Sequence, residues 1–178
     1  RNINAIDDVT RTLIEATGTL VIAAMRGNAG AGGVFMALAA DRVWARRGVV
    51  MNPHYKNMGN LYGSVYWTYL LPRRLSGATV EDGMGRRLPM SAAAACAAGL
   101  VDEVLDGDPS SFLDEALARA ARLAADPQLP VLLAEKRERR ARDERGETGA
   151  DERIAVKERQ AREQHVGVEV AEALGTLQ

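Results

Sequence analysis

Two groups of residues in this chain could do chemistry. The first is the run Arg26-Gly27-Asn28-Ala29-Gly30-Ala31-Gly32-Gly33, with four glycines among seven residues from Gly27. Without Cβ atoms in the way, a ligand can approach that backbone closely. The preceding segment, Leu20–Met25, is short, apolar and β-branched, which predicts a buried strand. Val34–Ala40 then reads as a packed helix of small and apolar residues. Strand, glycine turn and helix start together leave backbone N–H groups free to face an anion or a developing oxyanion. Tight helix–strand packing with no ligand would use the same glycines. The run is not a P-loop, because no Gly-Lys-Ser/Thr follows. Nor is it the dinucleotide fingerprint, because Phe35 stands where its last glycine belongs.

The second group is Asn52-Pro53-His54-Tyr55, at the end of a short apolar segment, Gly48–Met51. Proline cannot continue a central ladder, so a strand stops there. The ends of parallel strands are where α/β folds place ligands. A polar, glycine-punctuated loop follows, Lys56–Ser64, containing Gly59 and Gly63. Ser64 is expected to cap a helix Val65–Leu71 that Pro72 closes. Tyr55, Tyr66, Trp67 and Tyr69 crowd this region. Such rings either pack the core or, beside a glycine loop, face a ligand.

These groups need elements to hold them. Ile6, Val9, Leu13 and Ile14 are spaced as one helical face over residues 6–17, with Gly18 as the stop. Asp41–Ala45 alternates and predicts a strand. Strand, helix and strand in succession imply a right-handed parallel crossover. Ser91 should cap an alanine helix over 92–98, stopped by Gly99, before a last strand at Leu100–Leu105. Pro109-Ser110-Ser111 should open a helix to about Ala125, with Phe112, Leu113, Leu117 and Leu123 on one side. Beyond Pro130 the chain is dense in Glu, Arg and Lys to about residue 165. That predicts a solvated helix laced with i,i+4 pairs; the other reading is arginines holding a phosphorylated ligand or a partner subunit. Residues 166–178 suggest a short terminal helix. The expected organisation is an α/β core over 1–108 and a C-terminal helical region over 109–178.

Composition bounds the rest. With 178 residues, 47% hydrophobic, the chain can bury a proper core. A net charge of −1 gives no support for a nucleic-acid partner. The single cysteine, Cys96, rules out an intrachain disulfide framework, fits a reducing, cytoplasmic compartment and reads as a buried helical thiol. No apolar run approaches the roughly 20 residues of a membrane span, and no signal peptide or cluster of metal ligands is legible. The opening at Arg1 falls inside a helical unit, so the chain is expected to be a piece of a longer protein.

In this order, VIAAMRGNAGAGG, ALAADRVWA, GVVMNP and RLPMSAAAACAAGLVDEVL resemble the crotonase superfamily, the enoyl-CoA hydratase/isomerase family. The resemblance covers residues 5–125 and implies a β–β–α spiral core with C-terminal helices that trimerise. It also implies a coenzyme A thioester as substrate, with its oxyanion held by two backbone amides. One would belong to Gly32; the other lies upstream of Arg1. Hydratases of the family use two glutamates, at positions held here by Phe35 and His54, so the usual hydration is ruled out. The stretches GNAGAGGVFMALAADRVWAR, GVVMNPHYKNMGNLYGS and YWTYLLPRR further resemble hydrogenase maturation factors of the HypX/HoxX kind. That likeness implies an upstream formyltransferase-like domain using a tetrahydrofolate cofactor, possible hydrogenase assembly partners, and conversion of formyl-CoA to carbon monoxide and CoA. It makes Gly32, Tyr55 and His54 the catalytic candidates, although Tyr55 and His54 would equally serve as loop residues with local hydrogen bonds. Gly27, Asn28, Gly30, Gly33, Pro53, Gly59 and Ser64 become the substrate-binding candidates. Val65 stands where those factors carry a glutamate. Another acyl-CoA isomerase or hydrolase, or a non-catalytic module of the same fold, remains an alternative.

Overall fold

The computed structural model describes residues 2–53, 65–75 and 88–145. The chain divides into two compact units, 1–140 and 141–178; in the second, the described part is the end of one helix.

Helix α1, Asn2–Glu15, ends before Gly18 as expected. Its buried face is rotated from the predicted one. Leu13 and Ile14 pack on the core, but Ile6 and Val9 are 39% and 51% exposed. Thr10 takes the fully buried position, because its hydroxyl donates to the Ile6 carbonyl at 2.9 Å and no polar group is stranded.

Strand β1, Ile22–Met25, leads through the glycine turn into helix α2, Gly32–Leu38, and strand β3, Arg42–Arg46. β1 and β3 pair in parallel, Ile22 opposite Arg42 and Met25 opposite Ala45, so the predicted parallel β–α–β unit is present. Helix α2 earns its place by burying Val34, Phe35 and Leu38. Asp41 sits at the crossover, where its Oδ2 accepts the Val21 N–H at 2.8 Å.

The glycine turn holds a short strand of its own, β2, Ala29–Gly30, which sequence patterning does not announce. It pairs in parallel with β4, Val50–Asn52, and β4 pairs antiparallel with β5, Met90–Ser91. Among the described residues there are therefore two three-stranded sheets, in the orders β1-β3-β6 and β2-β4-β5. Strand β6, Glu103–Leu105, is shorter than expected, because Leu100 and Val101 are buried in the turn that leaves the preceding helix.

Helix α3, Trp67–Arg74, starts later than predicted and runs past Pro72 by one short turn. Its N-cap is Tyr66, in the left-handed region, and Ser64 lies outside the described residues. Helix α4, Ala92–Ala97, follows the reading closely. Ser91 Oγ accepts the Ala94 N–H at 3.2 Å, and Gly99 leaves the helix at φ +86°. A Cβ on Gly99 would lie 2.9 Å from the Arg74 carbonyl, so both the turn and the approach of α3 need glycine there. Cys96 is half-buried rather than buried, with its Sγ 3.9 Å from the Asp102 carbonyl.

Helix α5, Phe112–Ala124, buries Phe112 and Ala116 with Trp44 and Leu105, while Leu113 and Leu117 stay exposed. Before its first turn Asp108 accepts the Ser110 hydroxyl and the Ser110 and Ser111 amides, and these bonds, the Ser110 hydroxyl foremost, hold the Asp108 carboxyl well below its usual range. Helix α6, Leu129–Glu144, is the charged helix that composition predicts. The continuation expected to residue 165 and the terminal helix at 166–178 lie outside the described residues.

Candidate active site

The glycine turn is clipped to its surroundings at four points. Asn28 Oδ1 accepts the Val50 N–H at 2.9 Å, which ties the turn to β4. Arg46 Nε donates to the Arg26 carbonyl at 3.1 Å. Ala29 and Gly30 pair with Met51 and Asn52. The Ala31 N–H donates to the Asn52 carbonyl at 2.9 Å. Asn28 thus has a structural task that its residue type alone does not reveal.

Helix α2 begins from Ala31, whose carbonyl accepts the Val34 and Phe35 amides at 3.0 and 3.3 Å. The amides of Gly32 and Gly33 have no acceptor among the described residues. Gly32 is half-buried and Gly33 exposed. Ala31 holds φ 43°, ψ −119°, a backbone that L side chains rarely adopt. The chain accepts that strain to turn from β2 into α2 in a single residue.

The glycines can now be sorted between close packing and open approach. A Cβ on Gly27 or Gly30 would meet nothing within 4 Å, and on Gly33 only Ala29 Cβ at 3.7 Å. Packing therefore does not require these three to be glycine. The turn presents bare backbone to open space.

At the other wall, β4 ends at Asn52 and Pro53, and Pro53 is fully buried. The candidates His54, Tyr55, Gly59 and Ser64 lie outside the described residues. The positions where the resemblance implies acids are hydrocarbon: Phe35 is 0% exposed and Val65 2%, and both belong to one buried cluster. Val65 also holds a left-handed backbone, φ 65°, with its N–H donated to Asp7 Oδ1 at 2.8 Å. The nearby rings have protein partners. Trp67 lies against Phe35, centroids 6.5 Å apart. The Tyr66 hydroxyl accepts Arg11 Nε at 2.9 Å, and Arg73 stacks 4.0 Å from the Tyr69 ring centre.

One residue of this wall, Asn52, is named in the sequence reading but given no role there. Asn52 Oδ1 is buried and receives no hydrogen bond among the described residues. The signal was present as an asparagine directly before the proline that ends the strand, but residue type does not tell whether an amide is satisfied.

A concavity of about 780 Å³ lies elsewhere, lined by Glu103, Asp106, Asp114, Glu115 and Arg119. None of the glycine-turn residues lines it. Arg119 pairs with Glu115 at 2.5 Å, which holds the Glu115 carboxyl below its usual range. Among the described residues no group of three or more His, Cys, Asp or Glu could hold a metal ion, and no helix is long and apolar enough to cross a membrane.

Comparison with known proteins bears on the same residues. Residues 6–172 match the model of the enoyl-CoA hydratase/isomerase family. The chain is 53% identical over 145 residues to the hydrogenase maturation factor HoxX of Bradyrhizobium diazoefficiens, covering 81% of this chain and 25% of that protein. The crystal structure of HypX from Aquifex aeolicus in complex with tetrahydrofolic acid is similar at TM-score 0.76 and 40% identity, over 90% of this chain and 28% of that one. An enoyl-CoA hydratase from Bacillus halodurans shares the fold at TM-score 0.70 and 20% identity, over 92% of this chain and 62% of that one. The chain thus spans about a quarter of the maturation factors it matches. The parallel β–α–β unit, the glycine turn that opens its helix and the match over nearly the whole chain lead to one assignment: this is an α/β chain of the enoyl-CoA hydratase/isomerase, or crotonase, family, homologous to the hydrogenase maturation factors HoxX and HypX.

Proposed function

We propose that this chain is the CoA-thioester-handling part of a hydrogenase maturation protein, and that it converts formyl-CoA to carbon monoxide and CoA. The observation that carries the reading is the Gly32 amide: a half-buried donor with no acceptor among the described residues, at the mouth of a turn bare of side chains. A thioester oxygen gains negative charge as the reaction proceeds, and a preoriented N–H stabilises it. Decarbonylation of the formyl thioester breaks the C–H and C–S bonds and forms one S–H bond. Carbon monoxide leaves, and the reaction involves no net oxidation. The chemistry needs a group that takes the formyl proton and returns a proton to the thiolate. Tyr55, three residues beyond the β4 terminus, is our candidate, with His54 beside it. Gly27, Gly30 and Gly33 line the backbone wall of the site, and Asn28, Pro53, Gly59 and Ser64 complete its surround. The protein works in the cytoplasm, with a formyltransferase-like domain supplying the formyl group from a folate carrier and the carbon monoxide passing to hydrogenase assembly.

The test is carbon monoxide release from formyl-CoA by the intact protein, read by a haem-protein trap. Proline is tolerated at the first position of a helix but has no N–H. Gly32→Pro should therefore lower kcat about 10²–10³-fold, and Tyr55→Phe should abolish turnover. Release from wild type that survives both changes would overturn the assignment. A non-catalytic CoA-binding module is the second reading, favoured by Phe35 and Val65, which bury hydrocarbon where an acid would be needed. It predicts CoA binding with no carbon monoxide release from wild type or from Val65→Glu.

A further inference from the structure

Asn52 holds two positions at once. Its backbone carbonyl accepts the Ala31 N–H at 2.9 Å, one peptide unit before Gly32, and its register partner on β2 is Gly30. The next residue, Pro53, is fully buried and has no N–H to donate, so β4 ends here. Asn52 is half-buried as a residue, yet its amide oxygen, Oδ1, is buried and unpaired among the described residues. Native structures leave few such groups, and each asks for a partner. The contrast with Asn28 on the same turn is instructive, because that side-chain oxygen is satisfied by the Val50 amide.

The junction of β2, β4 and α2 therefore carries a donor without an acceptor, Gly32 N–H, and an acceptor without a donor, Asn52 Oδ1. The thioester end of any acyl-CoA offers the complementary pair. Its carbonyl oxygen accepts. Two methylenes beyond the sulfur, the first amide N–H of the pantetheine arm donates. We propose that Asn52 Oδ1 accepts that amide N–H and so fixes the arm while the Gly32 amide faces the thioester oxygen. The inference rests on the CoA reading given above. It makes Asn52 a binding residue for the arm common to all acyl-CoA esters, with no role in choosing the acyl group.

The experiment measures binding of two probes to the intact protein by calorimetry. One is CoA; the other is adenosine 3′,5′-bisphosphate, which resembles its nucleotide end and has no arm. Asn52→Leu keeps the size and removes the acceptor. It should weaken CoA about tenfold, leave the bisphosphate unchanged, and leave the thermal midpoint unchanged or raised, because a buried unpaired oxygen has gone. Asn52→Ala replaces it if the leucine variant fails to fold. CoA affinity within twofold of wild type in the variant would overturn the Asn52 assignment and leave the CoA reading standing. A lower midpoint with both probes weakened alike would make Asn52 structural and overturn it too. Failure of wild type to bind CoA at millimolar concentration would sink the CoA reading, and this inference with it.

Discussion

Ala31 is where the site's geometry is held in the backbone. At φ 43°, ψ −119° it turns the chain from β2 into α2 and aims the following amides outward. A non-glycine residue in such a region stores roughly 1–3 kcal/mol. Glycine there would release the strain but lose up to about 1 kcal/mol to its greater freedom when unfolded. Ala31→Gly should therefore raise the unfolding free energy by about 1 kcal/mol in urea titration, with helix α2 unchanged. A loss of stability would show that the turn is not strained. The residue scale is also where the sequence was read best and worst. The strand–glycine turn–helix arrangement followed from spacing, whereas Gly32 as the oxyanion donor came only from the resemblance to the crotonase family. Asn28 and Asn52 were indistinguishable as types. Only their partners, Val50 for one and none for the other, separate them.

At the scale of elements, the charged helix α6 is tied to the sheet unit by a buried ion pair rather than by its weak apolar face. Lys136 Nζ lies 2.6 Å from Asp41 Oδ2 and donates to the Thr19 carbonyl at 2.9 Å. The two side chains are 8% and 14% exposed. Surface pairs contribute little, but removing one partner of a buried pair strands the other charge and costs roughly 3–5 kcal/mol. Lys136→Ala should thus destabilise by about 3 kcal/mol in denaturant melts, since water can reach Asp41 in part. A change under about 1 kcal/mol would mean that α6 is held by other contacts. Charge density told us that this stretch is helical and largely solvated. It could not tell us that the single lysine of this arginine-rich helix points inward, because periodicity follows hydrophobicity and not pairing. Helix α1 fails for a related reason: Thr10 satisfies its own hydroxyl and takes a core position that a polar residue is not expected to hold. Helices α2 and α4, by contrast, were legible from their stops, caps and apolar spacing, whereas α5 keeps its predicted span but exposes Leu113 and Leu117 and buries Phe112 and Ala116.

For the whole molecule, the crossover β1–α2–β3 was readable, since short apolar runs separated by a helix leave little choice but a parallel sheet, whereas the last strand was legible but its place beside β3 was not. The second sheet was not. Its strands have two or three residues each, and they form because β4 and the glycine turn are brought side by side. That pairing sets the glycine turn beside the end of β4, the arrangement on which the proposed site depends. The Bacillus halodurans enoyl-CoA hydratase shares this fold, and in the present chain Phe35 of α2 is fully buried. On the proposed reading, the turn would face a thioester oxygen while Phe35 takes no part in proton transfer. The most direct measurement is a crystal structure of the intact protein with a non-cleavable formyl-CoA analogue. The Gly32 nitrogen should lie about 2.7–3.1 Å from the analogue's carbonyl oxygen. A carbonyl directed away from the turn, with the Gly32 N–H bonded to the protein's own backbone, would contradict the account.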